Sequence, residues 1–266
     1  MNTLPEAADW RSSLERHQYE EALARLKALS LVGQGDADHQ DALERLVLFF
    51  ESLRAKNYSA AASINRSGWS ALDIQVMGLD EMLAALTTAE ESWRNGDERV
   101  RAALQPALEH PLTRSEASNQ LGVLEAVCEN SELARTHFQA ALSSDARHYR
   151  AITNLGNLEL ESGNLQTAEM RYREALKLNP EYSVAYNNLA AVLKRQGKRG
   201  EAVDMLKKSQ RMSLKEIRAQ SKKSVSPNSN AAPNLQTRVA QLWANTTVRT
   251  VIVVVVILAA YQIFKR

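Results

Sequence analysis

Residues 154–180 read NLGNLELESGNLQTAEMRYREALKLNP. Two stretches with helical apolar spacing flank the Gly163-Asn164 pair, and Asn179-Pro180 ends the second, because proline disfavours helix at the residue before it. Shifted by 34 residues in either direction, the pattern returns. Leu155-Gly156 is preceded by Leu121-Gly122 and followed by Leu189-Ala190. Ala168 is matched by Ala134 and Ala202, Tyr172 by Phe138 and Leu206, and Ala175 by Ala141 and Ser209. The spacing has a physical reason. Gly or Ala beside Leu lets a second helix approach the first closely, the alanine marks their crossing, and the large residue four positions on fills the gap to the next unit. Each unit then buries its apolar face only by stacking on its neighbours.

These residues resemble the tetratricopeptide repeat family, most closely in Asn154-Leu155-Gly156-Asn157, Ala168, Tyr172, Ala175-Leu176 and Asn179-Pro180, and the resemblance covers residues 115–212. It implies an all-α fold, an α-solenoid of tetratricopeptide-type helical hairpins whose first helices line a concave groove. Gly163 and Gly197 fall where first helices must stop, in an expected left-handed conformation. Asn164 is placed to cap the helix that follows. Glu125 and Glu159 stand where the family carries a large apolar residue. Either those helices are slightly rotated, or the two carboxylates line a semi-buried seam; rotation or exposure to solvent is the expectation, since an unpaired buried carboxylate is costly. The last unit lacks a closing proline and runs on through Leu214 and Ile217, which suits a capping helix with a polar outer face.

Upstream the frame fades. Val100, Leu104, Ala107 and Leu108 lie one period before Ala134, Phe138, Ala141 and Leu142, with Pro106 as a kink. Tyr19-Glu20-Glu21-Ala22 with Leu26, and Tyr58-Ser59-Ala60-Ala61, resemble second helices of such units. Residues 9–108 therefore read as further hairpins, broken near 33–38 and 66–70. The expected organisation is a helical N-terminal region of degenerate hairpins (1–110), the repeat array with its capping helix (111–220), a flexible linker with an interfacial segment at 235–243 (221–247), and a C-terminal transmembrane helix (248–264).

That last assignment rests on composition. From 250 to 264 the only strongly polar residue is Gln262, and 251–257 is an unbroken β-branched run. Fifteen residues make a helix of about 22 Å, short of a hydrocarbon core of roughly 30 Å. Arg249, Lys265 and Arg266 can snorkel, and Trp243 and Tyr261 are rings of the kind found at interfaces. The alternative is a core or oligomer contact. Residues 1–41 show no export signal, so the repeats are expected on the cytosolic side of a single-pass anchor, in a mitochondrial outer or a bacterial inner membrane.

The whole chain, 266 residues at a net charge of +2, is 44% hydrophobic and 24% charged, ordinary globular values. Ten glycines and six prolines leave a helical vocabulary. One cysteine, Cys128, excludes an intramolecular disulfide. Charge is uneven: between 194 and 223, eleven Lys or Arg face only Glu201, Asp204 and Glu216. Such a segment could attract anionic lipid or be a solvated helix face. Few aromatics interleave with it, so nucleic acid is not expected.

No catalytic constellation is present, and no metal or other cofactor is expected. His17, His39, His110, His137 and His148 are dispersed, and neither a phosphate-binding glycine loop nor a nucleophile elbow occurs. What the resemblance implies instead is a groove presenting Asn119, Gln120, Arg150, Asn154, Asn157, Asn187 and Asn188. Gln120, Asn154 and Asn188 recur one period apart and should stack as a ladder of amides. Each amide has a donor and an acceptor and can pair with an extended peptide backbone, or serve local bonding alone. Some chaperone-binding members capture a peptide's terminal carboxylate. Asn157, Asn188, Arg218 and Lys222 fall at matching places, whereas Thr153 replaces the first-unit lysine. The reading is a non-enzymatic, membrane-tethered adaptor for a protein or extended peptide. Its alternatives are a precursor-protein receptor on an organelle surface, or an enzyme subunit whose C-terminal run is a core contact.

Overall fold

A computed structural model of the protein describes residues 10–74, 76–92 and 97–224. Within them the regular elements are all helical: α1 (Trp10–Glu15), α2 (Tyr19–Leu31), α3 (Ala37–Arg54), α4 (Tyr58–Ser63), a 3-10 turn (Trp69–Leu72), α5 (Leu79–Ser92), α6 (Asp97–Glu109), α7 (Arg114–Val127), α8 (Ser131–Ser144), α9 (Tyr149–Glu161), α10 (Leu165–Leu178), α11 (Ser183–Arg195) and α12 (Arg199–Ser224). The chain divides into two compact bodies, Met1–Ser213 and Leu214–Arg266. The second is described only over 214–224, the last turns of α12.

In the first body consecutive helices pair as hairpins, and each hairpin packs on the next. The 34-residue frame is visible atom by atom. A Cβ added to Gly122 would lie 2.5 Å from the ring of Phe138, and one added to Gly156 would lie 2.8 Å from the ring of Tyr172. Both rings are buried, so the glycines are what admits them. Phe138 also packs with Leu155 and Leu158 of the next hairpin, as the spacing requires. Gly163 and Gly197 end their helices at φ 81°, the left-handed conformation expected of them. One period earlier the same position is Glu129, held at φ 63° without glycine's freedom.

Two expectations are overturned in this region. Asn164 precedes α10 but its side chain makes no cap bond; its Nδ2 donates instead to Glu159 Oε2 at 2.8 Å. Glu125 and Glu159 are neither rotated out nor exposed. Glu125 is 1% exposed, receives hydrogen bonds from Arg101 and from Asn130, and Glu159 receives them from Arg135 and Asn164. Each carboxylate is thereby held below its ordinary pKa. The cost of burial is met by an arginine on the second helix of the preceding hairpin and an asparagine in the following turn, both repeating with the period.

The third seam changes chemistry. Leu193 stands one period after Glu159, Glu169 after Arg135, and Lys198 after Asn164. Lys198 Nζ pairs with Glu169 at 3.3 Å, so the carboxylate now stands at the arginine's position and the cation at the asparagine's, with Leu193 where the carboxylate was.

The N-terminal hairpins are held by aromatics. Tyr19 stacks on Phe50 at 4.6 Å between centroids, Phe49 meets Phe50 edge-on at 5.6 Å, and Phe49 meets Trp69 edge-on at 5.5 Å. Tyr19, Ala22 and Leu26 in α2, and Tyr58 and Ala61 in α4, are buried. Pro106 lies inside α6 without ending it.

α12 runs to Ser224, so residues 221–224, read from composition as the start of a linker, are helical. The interfacial segment at 235–243 and the anchor at 248–264 lie outside the described residues. No helix among the described residues is long and apolar enough to cross a membrane.

Candidate peptide-binding groove

The first helices α7, α9 and α11 carry the residues expected to face a ligand. At the start of α7, Glu116 is fully buried. Arg150, one period later at the start of α9, donates from Nη1 to both of its oxygens at 3.1 Å. Tyr58 of α4 donates its hydroxyl proton to Oε1 at 2.7 Å and accepts from Gln120 Nε2 at 2.7 Å. His148 completes the set. Its Nδ1 accepts the Ala151 N–H at 3.2 Å, capping α9, so the ring proton sits on Nε2 and is donated to Glu116 Oε2 at 2.9 Å. Burial alone would raise the Glu116 carboxyl. The Arg150 charge and the hydrogen bonds from His148 and Tyr58 outweigh it and hold the pKa at about 2. Burial beside Glu116 pushes the Tyr58 phenol well up.

A second cluster lies along the same route. Arg54, the last residue of α3, clasps Asp145 through Nε and Nη2 at 2.6 and 2.7 Å and donates from Nη1 to Glu20 at 2.7 Å. Tyr149 donates its hydroxyl proton to the Arg54 carbonyl at 2.8 Å. The bidentate fork and the low exposure of both partners make this a shielded pair. Together the two clusters join α2, α3 and α4 to α7 and to the start of α9, across 58 to 95 residues of sequence.

The N-terminal end of the expected groove is therefore filled by the chain itself. Asn119 and Gln120 are 0% and 2% exposed, so these two are corrected from open groove residues to interior ones, and Arg150, partly exposed, has its guanidinium engaged by Glu116. Asn119 Oδ1 accepts from Asn154 Nδ2 at 3.0 Å. Asn157 Oδ1 accepts from Asn188 Nδ2 at 2.8 Å and from the Tyr172 hydroxyl at 2.8 Å. The amides are thus bonded pairwise between neighbouring hairpins. Asn154, Asn157 and Asn188 remain partly exposed and Asn187 is exposed. Thr153 is buried and donates to the Tyr149 carbonyl at 2.9 Å.

Reading the sequence missed Glu116, Tyr58, His148, Arg54 and Asp145. One signal was available, because Glu116 and Arg150 are opposite charges one period apart. The others depend on a curvature that periodicity does not encode.

With this geometry in place, residues 149–215 match the family model of the tetratricopeptide repeat, about a quarter of the chain, from α9 into α12. No curated protein matches the sequence. Among solved structures, MamA is similar at 18% identity over 64% of this chain and 96% of that one, with a TM-score of 0.43. A mutant of the Thermobaculum terrenum O-GlcNAc transferase is similar at 30% identity over 45% of this chain, with a TM-score of 0.40, and the match spans 23% of that enzyme.

Proposed function

We propose that the protein is a scaffold that binds a protein or extended peptide along α9 and α11, with residues 248–264 tethering it to a membrane. One observation carries the first part. Five of the seven expected groove residues keep access to solvent, all on these two neighbouring first helices, and four of them, Asn154, Asn157, Asn187 and Asn188, are amides not engaged by a buried charge as Arg150 is. A row of amides offers donors and acceptors that an extended backbone can match with little dependence on its side chains. The tether rests on the apolar composition of 250–264 and its basic flanks. The repeat match supports a binding role over a catalytic one. The repeats then face the cytosol, which protease accessibility of the repeats in intact cells or organelles tests.

The groove is tested by replacing Asn187 with Ala, an exposed residue whose loss leaves the packing intact, and then adding Asn188→Ala. Binding of partners captured from native membranes should weaken stepwise, by about 1 kcal/mol for each net hydrogen bond lost. Unchanged binding by a folded double variant would place the partner elsewhere. Deleting 250–266 should move the protein from the membrane fraction to the soluble one with its helicity intact.

A further inference from the structure

We infer that a cavity at the N-terminal end of the first body is a second binding site, for a zwitterion with an apolar body: one or two apolar amino-acid residues that bear both a free ammonium and a free carboxylate. The site is separate from the amide row of α9 and α11 and does not depend on it. The cavity holds about 450 Å³, within the range of roughly 300–1,000 Å³ that small-molecule sites occupy. It is lined by α1, the start of α2, the end of the 3-10 turn and the link between α6 and α7. Its floor is apolar: Trp10, Tyr19, Leu72 and Leu112 are 7%, 5%, 5% and 3% exposed. The Tyr19 hydroxyl is already bonded to His17 Nδ1 at 2.9 Å, so the floor's phenol is satisfied. Side chains this shielded around an open volume take a ligand's apolar body out of water.

The rim carries charge of both signs. Arg11 and Glu15 on α1, and Asp73 after the 3-10 turn, line the cavity and are exposed. None of the three has an ion-pair partner among the described residues. Arg11 and Glu15 stand four residues apart with the cation first, the less favourable order on a helix. The Arg11 guanidinium lies 4.6 Å over the Trp10 ring instead. Stacking holds that plane in place and leaves its N–H edge free to meet a carboxylate. Glu15 and Asp73, from two different elements, are acceptors for an ammonium. An anion alone would meet two carboxylates beside its one arginine, and a cation alone would meet the arginine. A ligand with both charges satisfies all three groups and leaves its apolar body for the floor.

The test titrates the full chain with phenylalanine and with phenylalanyl-leucine, each free, N-acetylated or as the C-terminal amide, by calorimetry and by the shift in melting temperature that a bound ligand gives. The free forms should bind, and blocking either end should weaken binding about fivefold. Tighter binding of the single residue or of the pair fixes how much of the cavity is filled, and both support the site. Arg11→Gln should remove the preference for a free carboxylate and keep that for a free ammonium. Glu15→Gln with Asp73→Asn should do the converse. All three positions are exposed, so these substitutions spare the fold, which circular dichroism checks. Asn187→Ala with Asn188→Ala should leave both preferences unchanged, which separates this site from the groove.

Equal affinity for free and blocked ligands makes the cavity an apolar slot without charge recognition and overturns the inference. A preference for free ends that survives all three charge substitutions overturns it too, since the ligand is then held elsewhere. Neither heat nor a melting shift at ligand concentrations up to about 10 mM overturns it for the intact chain. Binding gained only on deleting residues 2–9 overturns it in favour of the chain's own N-terminal segment as the occupant.

Discussion

Three residues one period apart, Glu129, Gly163 and Gly197, end successive first helices in the left-handed region, and only the first lacks glycine's freedom there. Glu129→Gly should raise stability by about 0.5–1 kcal/mol, read as an upward shift in melting temperature, because the Cβ penalty disappears. The converse holds at Gly122. An alanine there gains about 1 kcal/mol of helix propensity but drives a methyl to 2.5 Å from the buried Phe138 ring. Overpacking of about 1–3 kcal/mol should win, and Gly122→Ala should melt below wild type. Glu116 links this scale to pH. Its pKa in the fold, about 2, lies below the ordinary 4.5, so its contribution is full above pH 5 and is lost as pH falls towards 2. The gap corresponds to on the order of 3 kcal/mol. Glu116→Gln strands the Arg150 charge and should cost about 3–5 kcal/mol at pH 7. In urea titrations the difference between wild type and variant should shrink steadily from pH 5 to pH 2, and a constant difference would show that Glu116 is not held ionised by its neighbours.

The hairpin seams show how far an element can be read from sequence. Arg135→Ala leaves Glu159 with Asn164 alone in a mostly buried site and should cost about 1–2 kcal/mol. Lys198→Ala removes a more exposed pair and should cost under about 1 kcal/mol. Comparing the two by chemical denaturation tests whether the arginine seams carry the array. The helices of 115–212 were legible because their small and large residues repeat, and α2 and α4 were legible from Tyr19 and Tyr58 with their alanines. The burial of Glu125 and Glu159 was misread because each carboxylate was taken alone. Arg101 and Arg135 lie 24 residues upstream of them and 34 from each other, so the compensating charge was periodic too. The amides were seen as a row but not as bonded pairs, because the period aligns Asn154 with Gln120, 34 residues before it, whereas the bond is made to Asn119, 35 residues before it. The filling of the groove by α3 and α4 was illegible, since Tyr58 and Glu116 meet only through the way successive hairpins turn.

Within the first body the Arg54–Asp145 and Tyr58–Glu116 contacts tie α3 and α4 to α7 and to the turn before α9. Wild type should therefore unfold with coincident circular dichroism and tryptophan fluorescence, the latter reporting the N-terminal side through the buried Trp10 and Trp69. Arg54→Ala strands Asp145, should cost about 3–5 kcal/mol, and should make the fluorescence transition precede the loss of helix. Coincident transitions in the variant would mean that apolar packing alone couples the two halves. The relocated ion pair at the third seam has a further consequence. Arrays of near-identical units are prone to gaining or losing one by misaligned copying of their genes, and a uniform array tolerates the change because any edge fits any other. Here, excising the 34 residues from 149 to 182 would bring Arg135 against Leu193 and Lys198, a cation facing a cation with no carboxylate between them. The order of the units is written into their edges, and a chain that lost the middle one would be marked by its own misfit.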